Sequence, residues 1–314
     1  MKTVLLTGAT GFVGRIAARR LSGQGYRVRA VSRRPDASVP GAAEVVALPD
    51  DPVSKEAWLP LLAGVDHVVH CAGIAHATGA IARETYFAAN ATLTGALAEA
   101  AMQATAGRFV FLSSIRAVTG ATRDGTVTDA TPPQPQDDYG RSKLGGERRV
   151  AKTFGDSGRF AILRPVLIYG PQLKGNLAAL ARLAALPMPL PVAGLTAPRS
   201  LLDVAALAEA IALLLERPQI APGPFLVCDS TAIGVAGILA ALRKGKGRRA
   251  LLFSLPDWLT SAPLTLSGRG EDWRRLTGPL VAEAAGLQAL GWQPADDTAA
   301  RLEAYARAER AGPA

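Results

Sequence analysis

Two short segments of this 314-residue sequence carry side chains that can exchange a proton with a substrate oxygen. Ser113-Ser114 ends an apolar run, and Tyr139 precedes Lys143 by four positions, so both lie on one face of a predicted helix. A tyrosine with its ordinary pKa of about 10 is a poor base at neutral pH, and a nearby ammonium group lowers that pKa. The pattern favours acid–base chemistry by Tyr139, with Ser114 holding the oxygen.

A glycine-rich segment near the start of the chain, TGATGFVG over residues 7–14, favours phosphate binding. It follows an apolar run and opens a predicted helix, where free backbone N–H groups and the helix dipole attract a phosphate. Glycines at positions 8, 11 and 14 permit a tight turn and a close approach to a pyrophosphate. The alternative is a glycine turn without a ligand. A dinucleotide site fits better with this position in front of an alternating chain.

The residues after the second apolar run bear on which dinucleotide this would be. A cofactor without a 2′-phosphate usually meets an acidic residue there. This chain has Ser32 followed by Arg33 and Arg34, and arginine can clamp a phosphate with two N–H bonds. The pair favours NADP over NAD. The alternative is that both arginines are solvated loop residues.

The elements that must position these groups alternate along the first half of the chain. Strands are predicted over residues 3–7, 26–31, 65–70, 109–113 and 160–164, and helices over 11–23, 85–102 and 139–154. Such alternation predicts a parallel sheet covered on both faces. Prolines and glycines cluster from 165 to 198, before a predicted helix over 204–216 and a strand over 224–227.

The expected fold is α/β: a Rossmann-like, doubly wound parallel sheet with a smaller C-terminal substrate-binding lobe. We assign residues 1–164 to the NAD(P)-binding domain, to which residues 201–228 return. Residues 165–200 and 229–314 form the expected substrate-binding lobe.

Composition and charge narrow the class of protein. With 49% hydrophobic and 19% charged residues, the chain is globular rather than disordered. Two cysteines exclude a disulfide scaffold and fit a reducing compartment, so we expect a cytoplasmic protein. No apolar run is regular enough to cross a membrane. The net charge of +9 attracts anions, among them DNA, membrane surfaces and phosphorylated metabolites.

Two further clusters are discounted as functional sites. His67 and His70 are an odd number of residues apart on a strand, and with His76 they match no common zinc spacing, so no metal is expected. The basic run over residues 243–249 would suit nucleic acid or a membrane surface, but no aromatic residue interleaves with it. We expect a solvated loop there, and neither nucleic acid nor membrane insertion.

Together, these motifs identify a family resemblance. The chain resembles extended short-chain dehydrogenase/reductases of the nucleotide-sugar epimerase/dehydratase type over residues 3–204, and Gly291-Trp292 resembles a late family motif. The segments that carry the resemblance are TGATGFVG, HVVHCAG, FVFLSSI, YGRSK, LRPVLIYGP and RSLLDV. The order of these motifs is most similar to that of a subgroup from polysaccharide biosynthesis. This subgroup includes UDP-hexose 4-epimerase-like proteins and UDP-4-keto-6-deoxy-N-acetylglucosamine 4-reductases.

The resemblance implies roles for individual residues. Ser114 and Tyr139 would be catalytic, Lys143 would hold the ribose and tune the tyrosine, and Asn90 would support the active-site helix. Ser114 is preferred to Ser113 because 25 residues separate it from Tyr139, as in the family. The implied cofactor contacts are Gly8, Thr10, Gly11, Phe12, Val13, Gly14, Arg33, Arg34, Asp50, Cys71, Ala72, Gly73, Asn90, Tyr139, Lys143 and Pro165. The implied substrate contacts are Ser114, Ile115, Arg116, Asn176, Leu177 and Arg199.

In these substrate contacts, Asn176-Leu177 resembles the uridine-contacting segment, and Arg199 resembles the arginine that meets the substrate pyrophosphate. Leu167 stands where many relatives have a substrate-binding asparagine. A dehydratase is disfavoured because Ile115-Arg116 occupies the place of its Asp-Glu pair. The departures concern substrate identity and leave Tyr139 and Lys143 intact.

The expected activity is hydride transfer at carbon 4 of a UDP-linked hexose or deoxyhexose by a homodimeric enzyme. We expect an NADP-dependent 4-keto reductase of polysaccharide or O-antigen biosynthesis. One alternative is a UDP-hexose 4-epimerase that retains NAD. Others are a non-catalytic NADP-binding regulator and a reductase of a non-sugar carbonyl compound.

Overall fold

A seven-stranded parallel sheet organises the computed structural model, with strand order β10-β7-β5-β4-β1-β2-β3. The structure describes residues 1–75, 81–173, 175–217, 220, 223–255 and 277–311. The strands are β1 (Thr3–Thr7), β2 (Arg27–Ser32), β3 (Glu44–Ala47), β4 (His67–His70), β5 (Phe109–Leu112), β6 (Thr126–Val127), β7 (Phe160–Pro165), β8 (Leu167–Tyr169), β9 (Leu201–Asp203), β10 (Pro224–Val227) and β11 (Val281–Ala282). The order reverses beside β1, where such sheets open a crevice at the strands' carboxyl ends.

Helices cover both faces of this sheet, and further helices pack in a second core. The α-helices of the described residues are α1 (Phe12–Gly23), α2 (Leu59–Leu62), α3 (Arg83–Phe87), α4 (Leu93–Ala104), α5 (Asp138–Phe154), α6 (Gly175–Ala184), α7 (Val204–Glu216), α8 (Val235–Gly245), α9 (Ala285–Ala289) and α10 (Thr298–Ala311). Alternate residues of β1 point to opposite cores. Val4 and Leu6 pack with α1 and α7, whereas Leu5 packs with α4 and α5. The predicted doubly wound α/β fold is confirmed.

Three elements differ notably from the sequence prediction. The helix expected over 85–102 begins at Arg83, ends at Ala104 and contains a π-helical turn over Ala88–Thr92. No bounds were predicted for strand β3, because its residues are half-buried or exposed and lack a strong apolar run. Strand β4 begins at His67, two residues later than expected.

A second, smaller core lies in the C-terminal part of the chain. Helices α6, α8 and α10 pack there with β8 and β9, while β10 pairs with β7 at the edge of the main sheet. A buried polar cluster lies at the base of this core. Tyr169 and Thr298 donate hydrogen bonds to Asp229, and Tyr305 donates to Asp203.

The basic run over 243–249 is not a solvated loop throughout, which corrects the prediction. Arg243 lies in α8 and is 1% exposed. Its guanidinium donates to the carbonyl oxygens of Leu186, Met188 and Ala250. The carbonyls offset the cost of burying the charge, and the arginine ties two loops to the helix. Across the part of the chain that the structure describes, no helix is long and apolar enough to cross a membrane.

Candidate active site

The glycine-rich loop runs from the end of β1 into α1 and packs tightly against the loop after β4. Gly8 has a φ of +69°, and a Cβ on it would lie 2.6 Å from the amide nitrogen of Ala72. A Cβ on Gly14 would collide with the carbonyl oxygen of Gly8. Gly11 precedes α1 and places no side-chain cap over the start of the helix, where the helix dipole favours an anion. This backbone cradle fits the pyrophosphate of a dinucleotide.

A cavity of about 350 Å³ opens beyond the end of β2, and Arg34 and Arg15 line it together with Asp36 and Ser38. Arg15 was not predicted; its position in the first turn of α1, beside the glycine loop, was the available signal. Arg33 is also exposed but does not line this cavity. The structure therefore distinguishes two arginines that the sequence treated as a pair.

The catalytic candidates lie where β5 ends and α5 begins. Ser114 accepts a hydrogen bond from the backbone N–H of Arg116 at 3.2 Å and is hydrogen-bonded to Tyr139. Asp137 caps α5 by accepting from Gly140 N at 2.7 Å and forms an ion pair with Arg116. Burial raises the pKa of Tyr139, and the Ser114 hydrogen bond and the charge of Arg116 oppose that rise. The lowering influence was expected from Lys143.

Lys143 is buried one helical turn beyond Tyr139. Its Nζ donates to the carbonyl oxygen of Leu112 at 2.9 Å and lies 5.0 Å from the centre of the Phe111 ring. Burial lowers the pKa of Lys143 to about 8, and the charge of Glu147 opposes that fall. Lys143 thus fixes the strand end that leads to Ser114.

Glu147, which sequence reasoning missed, continues the same helix face. It accepts a hydrogen bond from Ser113 and two from Arg164, whose Nε and Nη2 lie 3.0 and 2.6 Å from its two oxygens. Both side chains of the ion pair are about 5% exposed or less. The spacing of four residues after Lys143 was the available signal. Ser113 is committed to this cluster, and Ser114 is the serine beside Tyr139.

Asn90 lies in the π-helical turn and joins the loop after β4 to α5. It forms two hydrogen bonds of 2.9 Å with the backbone of Ile74, and its Nδ2 donates to Ser142 at 3.0 Å. A Cβ on Gly73 would lie 2.7 Å from Asn90 Oδ1 and 3.0 Å from Lys143 Nζ, so only glycine fits there.

Cys71 and Ala72 complete the loop after β4, and Pro165 is buried at the carboxyl end of β7. Burial raises the pKa of Cys71 to about 12, which leaves a protonated thiol at neutral pH. Thr10, Phe12 and Val13 lie in the glycine loop and the first turn of α1. Apart from Asp50, the residues expected to bind the cofactor therefore gather at the carboxyl ends of β1, β2, β4, β5 and β7. Asp50 is exposed in the segment after β3.

The residues expected to contact the substrate differ in how far they are exposed. Arg116 lies close enough to Arg199 for its charge to help lower the pKa of Arg199, after the larger effect of burial. Arg199 donates to the carbonyl oxygens of Gly278 and Ala121. Asn176 is exposed at the start of α6, but Leu177 is 1% exposed in the C-terminal core, so its side chain cannot contact a ligand. A contact of Leu177 with the substrate could therefore be made only through its backbone, and the predicted role stays a prediction.

Ile115 is also buried, in the short turn that follows Ser114. His70 is hydrogen-bonded to Thr7 and Thr94. His67 instead accepts a hydrogen bond from the backbone N–H of Arg108. His76 lies outside the described residues.

This fold and site define an NAD(P)-dependent enzyme of the short-chain dehydrogenase/reductase class, and the chain belongs to the NAD dependent epimerase/dehydratase family, whose model matches residues 4–228. It is 32% identical to UDP-glucose 4-epimerase of Vibrio cholerae, over 93% of this chain and 91% of that protein. It is 28% identical to dTDP-6-deoxy-L-talose 4-dehydrogenase (NAD(P)(+)) of Kitasatospora kifunensis, over 93% and 90%. The fold matches UDP-N-acetylglucosamine 4-epimerase of Bacillus cereus with a TM-score of 0.76 and 20% identity, over 99% and 100%. The predicted family is confirmed.

Proposed function

We propose that this enzyme transfers hydride at carbon 4 of a nucleotide-diphosphate hexose and works as an NADPH-dependent 4-keto reductase. The hydrogen-bonded pair of Ser114 and Tyr139 at the end of β5, with Lys143 buried behind it, is the observation that carries the proposal. Two full-length relatives are a 4-epimerase and a 4-dehydrogenase of nucleotide sugars, which supports carbon 4.

The chain's own groups handle the substrate oxygen. The N–H of Arg116 donates to Ser114 Oγ, and the hydroxyl hydrogen of Ser114 bonds to Tyr139; on substrate binding this hydrogen would turn to the substrate carbonyl. Tyr139 donates the proton that this oxygen needs once the carbon is reduced. A tyrosine of ordinary or raised pKa is protonated at neutral pH and so has this proton to donate.

The nicotinamide cofactor supplies the hydride when it is bound. The glycine loop over residues 8–14 would hold its pyrophosphate, and Lys143 would hold its ribose. Arg34 and Arg15 would bind a 2′-phosphate in the cavity that they line, which supports NADP. Asn176 and Arg199, in the lobe proposed to consist of residues 165–200 and 229–314, would contact the nucleotide diphosphate.

Mass spectrometry of the dinucleotide released on denaturation tests the cofactor first. NADP, or an empty protein that binds NADPH more tightly than NADH, is expected; stoichiometric NAD would overturn the reductase. Arg34→Ala should raise the KM for NADPH by about 10- to 100-fold, since it removes a charge-assisted clamp. The neighbouring Arg33→Ala is the matched control and should change it less than about twofold, because Arg33 does not line the cavity.

The catalytic assignment is tested with UDP-linked and dTDP-linked 4-keto sugars and NADPH. Tyr139→Phe should lower kcat by at least about 100-fold, because the proton donor is lost, while the Kd for NADPH stays within about twofold. Undiminished turnover by Tyr139→Phe would end this mechanism.

A UDP-hexose 4-epimerase with retained NAD is the second candidate. The full-length similarity to the Vibrio cholerae UDP-glucose 4-epimerase favours it. Incubation of the purified protein with UDP-glucose and no added cofactor distinguishes the two: UDP-galactose would identify the epimerase, and its absence is expected for the reductase.

A further inference from the structure

We propose that His70, as its Nε2–H tautomer, is a positioning residue that ties the phosphate-loop strand to the π-helical turn carrying Asn90. The expected effect on turnover rests on the proposed function. The tautomer of His70 and its hydrogen bonds can be tested without measuring turnover. In the sequence, His70 stood out only as a discounted metal ligand and as part of the HVVHCAG segment.

The contacts of His70 are complete on both ring nitrogens. The residue ends β4, is fully buried, and stacks on Phe111 at 5.5 Å between ring centres. Its Nδ1 lies 2.6 Å from Thr7 Oγ, and its Nε2 lies 3.0 Å from Thr94 Oγ. The imidazole thus spans from β1 to the start of α4.

The hydroxyl hydrogen of Thr94 fixes the direction of these bonds. Thr94 Oγ donates to the carbonyl oxygen of Asn90 at 2.9 Å, the backbone bond that threonine often makes within a helix. Thr94 must then accept from His70, so the proton is on Nε2 and Nδ1 accepts from Thr7. Thr7 Oγ in turn accepts from the amide of Ala72 at 3.2 Å. Each hydroxyl donates once and accepts once, as a satisfied buried network requires.

The same direction continues beyond Asn90. Its Nδ2 donates to Ser142, and Ser142 donates to the carbonyl oxygen of Tyr139 at 2.7 Å. We define the hydroxyl–imidazole chain as Thr7, His70, Thr94, Asn90 and Ser142. It begins one residue before Gly8 and ends on the catalytic turn of α5. The hydroxyl–imidazole chain therefore fixes the position of the glycine loop relative to that of Tyr139.

His70 is not placed to act as an acid or a base. Burial lowers the pKa of His70 to about 3, and the charge of Lys143 adds to that effect, so the ring stays neutral at physiological pH. With both nitrogens engaged, it offers no site for a substrate proton. A histidine that merely filled the core would leave turnover unchanged after a stable replacement, and this contrast makes the role testable.

Nitrogen NMR of the full chain labelled with ¹⁵N-histidine tests the tautomer directly. The signals of His70 are identified by their loss in His70→Gln, since the chain has three histidines. We expect Nε2 to be protonated and no titration between about pH 5.5 and about pH 8. An Nδ1–H tautomer, or titration in this range, would overturn the proposal whatever the activity.

Variants at position 70 test the two hydrogen bonds of the imidazole one at a time. Glutamine can place its amide nitrogen near the position of Nε2, and asparagine can place its amide oxygen near that of Nδ1. Each variant keeps one of the two hydrogen bonds and loses the other, so neither ties β1 to the π-helical turn. His70→Gln, His70→Asn and Thr94→Val should therefore each lower kcat about tenfold or more, with the KM for both substrates within about twofold.

Thr105→Val is the matched control for Thr94→Val. Thr105 is buried on the turn after the same helix and makes the same bond, to the carbonyl oxygen of Ala101 at 3.0 Å. It should lose similar stability and keep wild-type kcat. Wild-type kcat in Thr94→Val and His70→Asn would reduce His70 to a packing role. Absence of turnover in the wild type would instead count against the proposed function.

Discussion

Two buried acidic clusters differ in how their charge is compensated. On the catalytic helix α5, the carboxylate of Glu147 is paired with Arg164. At the base of the C-terminal core, the charges of Asp203 and Asp229 lie close enough to interact. Both clusters are buried, but in the second one Asp203 Oδ2 accepts no hydrogen bond from the described residues. The cation paired with Asp203 is Arg301, 3.6 Å away and 56% exposed. Burial is therefore compensated by a buried opposite charge in one cluster, and by hydroxyl and amide donors with one exposed cation in the other.

The second cluster contains an acid whose pKa is shifted. Burial raises the pKa of Asp229 to about 6, although the hydrogen bonds from Tyr169 and from the amide of Asp203 oppose it. The neighbouring charge of Asp203 adds to that rise. The cluster next to the catalytic residues pairs opposite charges, whereas the cluster at the lobe base brings two acids together.

The largest effect is expected from breaking the balanced pair. Glu147→Gln leaves the guanidinium of Arg164 buried without its charge partner and should cost about 3–5 kcal/mol of unfolding free energy, measured by urea denaturation. The double variant Glu147→Leu/Arg164→Met should recover most of the loss, because no unpaired charge remains. A loss below about 1 kcal/mol in Glu147→Gln would contradict this account of the pair.

The second effect concerns the pH dependence of stability. The pKa of Asp229 is raised in the folded state, so the folded protein binds the proton more tightly than the unfolded chain. The associated stability is fully present below about pH 3.8 and is lost as the pH rises through about 6. The shift of about two pH units corresponds to about 3 kcal/mol.

Asp229→Asn should remove this dependence. The difference in unfolding free energy between wild type and variant, measured from about pH 4 to about pH 7, should change by up to about 3 kcal/mol in favour of the variant. A difference that stays constant with pH would show that Asp229 ionises as freely in the fold as in the unfolded chain.

A smaller effect is expected from the tyrosine above Asp203. Tyr305→Phe removes the donor to Asp203 Oδ1, which lies 2.9 Å from the phenol oxygen, but leaves the bond from Ala205 N in place. The expected loss is about 1 kcal/mol in thermal or urea unfolding. A gain in stability would mean that the phenol does not compensate the charge of Asp203.

The smallest effect is expected from the exposed cation. Arg301→Ala should change the unfolding free energy by less than about 0.5 kcal/mol, because water and salt screen the pair with Asp203. If this variant lost as much as Glu147→Gln, the two clusters would not differ in the way proposed.

Sequence reasoning was most accurate where a local pattern decides the structure. Three elements have the predicted bounds: the strands over 3–7 and 224–227 and the helix over 204–216. A buried parallel strand and an apolar helix can both be recognised from the residues of the segment itself. The π-helical turn at Ala88–Thr92 has no such signal. It depends on tertiary bonds from Asn90 to Ile74 and Ser142, residues that are distant in the sequence.

The site shows the same division. Ser114, Tyr139 and Lys143 could be found from spacing and family pattern, and the structure puts them together. Glu147 and Arg243 could not be assigned, because a charged residue within a helix is usually solvated, and burial is decided by what packs on it.

Strand β10 pairs with β7 in register from Ile162 with Pro224 to Pro165 with Val227, and 62 residues separate these partners. During synthesis, β7 emerges first and its outer edge has no neighbour until β10 leaves the ribosome, roughly 3 to 12 s later at ordinary translation rates. An exposed strand edge is a template for association with other chains. The nascent protein is therefore most vulnerable to aggregation while the intervening segment is being made, and chaperone demand should concentrate in that interval.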